Sequence, residues 1–163
     1  MIAVTGKIVK GRGLASVITL DEIEYLSEAT QSQIIPGTAN FVSKTPIRLQ
    51  NDKPSLVYKY QNGREKDFWP ASINGKTVYL TRWRNCPLHI FEIFSEEKIV
   101  NTHHDLEKEI CIFIEERRLK KISFLEKIYW YAVWYGRENW WYRNYYYWRV
   151  FRLLFVKNLT GHC

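Results

Sequence analysis

Pro36-Gly37-Thr38-Ala39-Asn40-Phe41 is the stretch around which the fold is predicted to form. A Pro-Gly pair is typical of a turn, and Phe41 opens an apolar run that is typical of a strand. Side chains two apart in an extended backbone share a face, so Thr38 and Asn40 would present a hydroxyl and an amide oxygen together. Such oxygens can hold a magnesium ion that is bridged to nucleotide phosphates. The alternative is an ordinary turn in which both side chains bond to nearby backbone.

Around this stretch lies a chain of 163 residues, of which 46% are apolar, enough for one domain with an appendage. It has no apolar run of about eighteen residues that would predict a membrane span, and residues 1–6 lack the features of a signal peptide. Cys86, Cys111 and Cys163 are too scattered for a disulfide framework or a zinc knuckle. These features predict a cytoplasmic protein, with a membrane-peripheral location left open by the tail.

Charge divides the chain into two parts. Residues 1–116 contain 14 Lys and Arg against 15 Asp and Glu, whereas residues 117–163 contain 10 against 2. The second part also holds five of the seven tryptophans and seven of the eleven tyrosines. We therefore expect a near-neutral domain at 1–116 and a basic, aromatic-rich helical extension at 117–163.

The first part shows short segments with the alternation or β-branched content that predicts strands. They are residues 2–9, 17–20, 47–49, 56–60, 68–73, 77–80 and 109–114, a strand beginning at 41–42, and the first part of 89–99. Asp21 and Glu22 predict the first turn of a helix that continues to about Ala29. Asn74-Gly75 is a strong hairpin signal between two of the strands. This pattern predicts a mainly β fold, a small Greek-key barrel with one inserted helix and a helical, aromatic C-terminal extension.

Two features of this part suggest chemistry. Gly11 and Gly13 flank Arg12 after the first strand, so backbone amides could approach an anion with a counter-charge nearby. The alternative there is a plain hairpin turn. Glu92 lies among apolar residues in a strand, where a carboxylate is costly unless it is paired or hydrogen-bonded. The alternative for Glu92 is the solvated face of an edge strand.

The order of these features resembles a family, the archaeal CTP-dependent riboflavin kinases, which are small cradle-loop barrels. The family pattern is a strand ending in G-x-G-x-G, a helix, G-T-L-N at the start of a strand, an E-I-I-A/S-P strand and a final L-x-x-G-D-x-V-x-I strand. The matching stretches are Gly6-Lys7-Ile8-Val9-Lys10-Gly11-Arg12-Gly13, Pro36-Gly37-Thr38-Ala39-Asn40, Phe91-Glu92-Ile93-Phe94-Ser95 and Leu106-Glu107-Lys108-Glu109-Ile110-Cys111-Ile112. The resemblance covers residues 2–116 and implies a riboflavin-kinase-like barrel.

This resemblance also implies an activity and a set of site residues. The reaction would be transfer of the γ-phosphoryl group of CTP to the 5′-hydroxyl of riboflavin, giving FMN and CDP, with Mg²⁺ held by Thr38 and Asn40. Glu92 would be the catalytic residue and would contact the flavin, with Arg84 at a second flavin position. The nucleotide would lie against Gly11, Arg12, Gly13, Leu14, Ala15, Ser16, Glu97, Lys98, Ile99 and Val100.

The chain departs from the family pattern within these loops. Ala15 replaces the third glycine and Leu14 an acidic residue, and Ile99-Val100 stands where the family has Leu-Arg. Arg84 falls where a threonine is expected near the flavin. The alternative function is therefore a non-catalytic nucleotide-binding or membrane-peripheral module that keeps the barrel.

Aromatic residues of the tail, between 123 and 156, fall on nearly all sides of the predicted helices, which Gly136 would divide in two. One narrow buried stripe cannot cover them. Three partners remain open: the barrel or a second subunit, an anionic membrane surface, and nucleic acid. Self-association and membrane binding are favoured over nucleic acid.

Overall fold

The computed structural model describes residues 1–9, 20–35, 39–50, 52–83, 86–99 and 108–135, with the backbone alone at 132–135. The chain divides into two compact units, Met1–Lys121 and Ile122–Cys163. The strands are β1 (Ile2–Val9), β2 (Ala39–Ser43), β3 (Arg48–Leu49), β4 (Leu56–Lys59), β5 (Glu65–Ile73), β6 (Lys76–Thr81), β7 (Ile90–Ser95), β8 (Glu109–Ile114) and β9 (Leu119–Lys120). The described α-helices are α1 (Leu20–Thr30) and α2 (Phe124–Tyr135), and a 3₁₀ turn spans Glu116–Arg118.

Six antiparallel strands close into a barrel in the order β5-β6-β7-β2-β1-β8. The closing contact joins β8 back to β5, where Ile114 lies opposite Ala71. Strand β4 pairs with the first half of β5, and β3 pairs separately with β9. The predicted fold class is thus confirmed: the protein is mainly β, a small barrel with one inserted helix.

Local sequence signals explain several of these elements. Asn74 and Gly75 have φ values of 51° and 78°, as a type I′ turn requires, and they join β5 to β6. Asp21 and Glu22 lie in the first turn of α1, where carboxylates suit the positive end of the helix dipole. Leu20 was predicted to end a strand, and it is instead the first residue of α1.

Two apolar cores lie on opposite faces of the barrel wall. In β7, Phe91 and Ile93 belong to the core inside the barrel, whereas Phe94 belongs to a second core outside it. Ile23 and Leu26 of α1 pack into this outer core beside Phe68 of β5. The strand alternation thus explains why α1 covers the outer face of β5, β6 and β7.

Unit 2 begins with α2, whose first turn is capped by Ser123. The Ser123 Oγ accepts a hydrogen bond from the Glu126 backbone N–H at 3.2 Å. The helix is described as far as Tyr135, and the predicted division at Gly136 and the second predicted helix lie outside the described residues. Within the described part of the chain, no helix is both long and apolar enough to cross a bilayer.

Gly6 of β1 is the position where we expect an added methyl group to be most damaging to the fold. A Cβ there would lie 2.2 Å from the Val42 carbonyl oxygen and 2.5 Å from the Phe41 Cζ. We expect Gly6→Ala to lower the free energy of unfolding by about 3 kcal/mol or more, because backbone must shift to relieve the overlap. Urea unfolding measures this effect.

Gly63→Ala is the matched control for this prediction. Gly63 has a φ of +77° but no atom within 4 Å of an added Cβ, so only backbone conformation opposes the change. Its cost should be about 1 kcal/mol. Equal unfolding midpoints for the two variants would contradict the close approach of β1 and β2 at Gly6.

Candidate functional site

Strand register brings the ends of three strands, β1, β2 and β7, to one end of the barrel. Val9, the last residue of β1, lies opposite Asn40, and Ala39, the first residue of β2, lies opposite Ile93 near the end of β7. The glycine loop follows the end of β1, Thr38 directly precedes β2, and residues 97–100 follow the end of β7. Arg84 follows β6, which ends at the opposite end of the barrel.

Nine of the predicted site residues lie outside the described residues, and their roles stay predictions. These are Gly11, Arg12, Gly13, Leu14, Ala15, Ser16, Thr38, Arg84 and Val100. The structure describes the other five, which are Asn40, Glu92, Glu97, Lys98 and Ile99.

Asn40, Glu92 and Thr81 form a row across three neighbouring strands. Asn40 of β2 lies opposite Glu92 of β7, and Glu92 lies opposite Thr81 of β6. Directly opposed residues of antiparallel strands point to the same face, which here is the outer face beside α1. The structure thus brings two of the predicted site residues together and adds Thr81 to them.

Two oxygens in this row are buried without a hydrogen bond in the described part of the chain. Asn40 is 6% exposed and Thr81 is fully buried, and neither Asn40 Oδ1 nor Thr81 Oγ1 has a protein partner there. A buried polar atom without a partner is uncommon, because its lost hydration costs about 1–3 kcal/mol. Such atoms indicate a place where a ligand, a metal ion or water completes the bonding.

A buried cluster of charges adjoins the row. Lys66 Nζ lies 2.7 Å from Glu22 Oε2 and 3.3 Å from Glu92 Oε2. The side chains of Glu22, Lys66 and Glu92 are 3%, 11% and 18% exposed. One ammonium therefore faces two carboxylates, of which the Glu92 carboxylate is the more exposed.

Aromatic side chains enclose this cluster. The Tyr60 hydroxyl donates a hydrogen bond to Glu22 Oε1, and Lys66 Nζ lies 5.6 Å from the Phe94 ring centroid and 5.9 Å from that of Phe68. Burial, and then the bond to Glu22, raises the pKa of Tyr60 above its usual range. The phenol thus stays protonated at neutral pH and remains a donor to Glu22.

The edge-strand alternative for Glu92 is wrong. Strand β7 lies between β2 and β6 and is paired on both sides, because the barrel is closed. Glu92 is partly buried and shares Lys66 with Glu22 of α1. The sequence correctly indicated a carboxylate that needs a partner in this strand.

Glu97, Lys98 and Ile99 lie elsewhere, in a groove of about 460 Å³. The β5–β6 hairpin and Ser95 form much of the rest of the described lining. Lys76 forms an ion pair with Glu97, and the Ser95 hydroxyl donates to the Glu97 carbonyl at 2.6 Å. Glu92 is not among the lining residues, so the described part of the chain does not join it to this groove.

Arg82 directly follows β6 and lies at the opposite end of the barrel. Its guanidinium donates to the carbonyl oxygens of Ile90 and Leu88 at 2.8 and 2.6 Å and lies 3.9 Å from the Phe91 ring centroid. Burial lowers the pKa of Arg82 to about 10, so the side chain stays charged at neutral pH. These contacts give Arg82 a structural role at the end of β6 from which the chain continues to Arg84.

Sequence analysis missed Glu22, Tyr60, Lys66 and Thr81. Glu22 and Leu26 are four residues apart on α1 and share the buried face, a signal that could have indicated a buried carboxylate. Lys66 likewise alternates with Phe68 on β5 and so shares its outer face. The contacts themselves join residues far apart in the chain, so no local pattern indicates them.

The described residues contain no group of three or more His, Cys, Asp or Glu side chains that could hold a metal ion. The predicted magnesium site uses a hydroxyl and an amide oxygen instead. The unbonded, buried Oδ1 of Asn40 fits that role, because a metal ion would satisfy it.

In comparisons with known proteins, no family model matches the chain and no curated protein matches it significantly.

Proposed function

We propose that the protein is a CTP-dependent riboflavin kinase or a close relative, which transfers the γ-phosphoryl group of CTP to the 5′-hydroxyl of riboflavin. The products would be FMN and CDP. Two observations support the proposal. Four sequence stretches follow the order of that family, and the fold is a small closed barrel with a helix inserted after the first strand.

The observation that carries the proposal is the buried, unbonded Oδ1 of Asn40 directly across from Glu92. An unsatisfied oxygen acceptor beside a partly exposed carboxylate favours a bound cation or a ligand hydroxyl at this point. Both are required by transfer of a phosphoryl group to an alcohol. Strand ends that lead to Thr38 and to the glycine loop adjoin the same place.

Phosphoryl transfer depends mainly on positioning and charge neutralisation, which the proposed residues would supply. Thr38 and Asn40 would hold Mg²⁺, which neutralises phosphate charge when bound. Glu92 would accept a hydrogen bond from the 5′-hydroxyl and orient it. Lys66 would hold the Glu92 carboxylate in place. The contact of Lys66 with Glu22 connects this carboxylate to α1.

The second candidate is a nucleotide-binding module without turnover, and the Lys66 contact favours it. The Lys66 ammonium, 3.3 Å from Glu92, already gives this partly buried carboxylate a partner, so a structural role alone explains its position. Ala15, Leu14 and Ile99-Val100 also depart from the family pattern.

Incubation with riboflavin, Mg²⁺ and each of the four ribonucleoside triphosphates in turn separates the two candidates. Chromatography of the products should show FMN with CTP and little with the other triphosphates. Binding of Mg²⁺-CTP without FMN would favour the module instead. Absence of any nucleotide binding would contradict both.

Arg12 gives a further prediction within the glycine loop. If it neutralises phosphate charge between Gly11 and Gly13, Arg12→Glu should weaken CTP binding by about tenfold or more. Lys10→Glu makes the same change of charge just outside the glycine pair and should have a much smaller effect. Calorimetric titration compares them, and equal small effects would indicate a plain solvated turn.

A further inference from the structure

Helix α2 presents an open apolar side. Phe124 and Leu125 are 76% and 77% exposed, and Ile128 is 49% exposed. At 100° per residue these three side chains lie on one side of the helix, and the buried Trp130 lies roughly opposite them. Three large apolar side chains that are exposed together on one helix indicate a surface that binds a protein or a membrane.

The composition of unit 2 indicates which kind of partner this surface binds. Residues 122–163 contain six Lys and Arg against two Asp and Glu, together with five Trp, seven Tyr and three Phe. Trp and Tyr favour the headgroup level of a bilayer, and basic side chains pair with lipid phosphates. A helix with one apolar side, within a basic and aromatic segment, is suited to lie in the interface plane of a membrane.

Other partners fit less well. A second copy of unit 2 carries the same net charge of +4, so association of the two would oppose like charges. Nucleic acid is anionic, but bases stack on aromatic rings, and Leu125 and Ile128 offer none. An anionic lipid surface can attract the positive charge of unit 2 and can also bury its aliphatic side chains.

We propose that α2 docks on the surface of an anionic phospholipid bilayer, with Phe124, Leu125 and Ile128 inserted at the boundary between headgroups and acyl chains. The net positive charge of the same unit would attract it to the anionic lipid phosphates. This interaction is independent of the proposed kinase activity, because it uses unit 2 alone.

Flotation of the full-length protein with two kinds of vesicle tests the proposal. The protein should bind vesicles of phosphatidylcholine mixed with phosphatidylserine, and binding to pure phosphatidylcholine should be much weaker. Added NaCl should weaken the binding, because it screens the charges. Failure to bind the mixed vesicles would overturn the proposal.

A double variant and a matched control locate the contact. Replacement of both Phe124 and Leu125 with serine should weaken vesicle binding by about tenfold or more, since two large apolar side chains would no longer enter the interface. Phe113→Ser removes a 39% exposed aromatic ring from β8 and should leave binding unchanged. Equal losses in the two proteins, or a double variant that loses only self-association in sedimentation, would overturn the proposal.

Discussion

Asn40→Ala is expected to weaken the binding of Mg²⁺-CTP by about tenfold to 100-fold, because it removes a proposed metal ligand. The same change should alter the free energy of unfolding by no more than about 1 kcal/mol. Oδ1 of Asn40 is buried without a hydrogen bond, so its removal relieves an unsatisfied acceptor and offsets the small cavity that is left. A residue with a purely structural role would show the reverse pattern.

Calorimetric titration with Mg²⁺-CTP and urea unfolding measure the two quantities. Asn62→Ala is the control, because Asn62 lies in an exposed turn where its Oδ1 accepts a bond from the Arg64 N–H at 3.1 Å. That variant should bind CTP like the wild type. Unchanged affinity in Asn40→Ala would remove Asn40 from the site.

Lys66→Met is expected to be the most destabilising side-chain change outside the apolar cores. Glu22 and Glu92 would then share a largely buried space without their common counter-charge. Loss of one partner from a buried ion pair costs about 3–5 kcal/mol, and urea unfolding should show a loss of about 3 kcal/mol. Lys59→Met removes an exposed pair with Glu65 and should cost less than about 1 kcal/mol.

The double variant Glu22→Gln/Lys66→Met separates charge from packing. With Glu22 neutral, only Glu92 remains charged, and part of the lost stability should return. No recovery would mean that the methylene groups of Lys66, and not its charge, stabilise the packing of α1 on the barrel. In that case Lys66 would not be needed to hold the Glu92 carboxylate.

Local signals predicted much of the fold. Asn74-Gly75 fixed one hairpin, and the acidic pair Asp21-Glu22 located the start of α1 within one residue. Strand β5 was predicted from Phe68 but begins at Glu65, because its polar first residues pair with β4. That pairing is a tertiary contact, and the alternation in residues 65–67 alone does not reveal it.

The boundary between the two units shows the same limit of prediction from local sequence. Charge and composition change between residues 116 and 117, whereas the first unit extends to Lys121. The reason is the pairing of β9 with β3, in which Leu119 lies opposite Leu49 and Lys120 opposite Arg48. A basic segment can therefore complete a near-neutral domain, and net charge does not report this strand pairing.

The candidate site was predicted only in part for a related reason. Asn40 and Glu92 were predicted as site residues from the sequence, and the structure places them opposite each other, while their roles stay predictions. Lys66 reaches Glu22 across 44 residues and Glu92 across 26, so this cluster exists only once α1 covers the barrel wall. Thr81 joins the row through strand register alone.

Transfer of label from CTP that carries ³²P in its γ-phosphate tests the proposed function most directly. With riboflavin and Mg²⁺ present, we expect the label to appear in FMN with the wild-type protein and to be strongly reduced with Asn40→Ala. Unlabelled FMN, or no FMN from a wild-type protein that binds Mg²⁺-CTP, would contradict the proposed phosphoryl transfer.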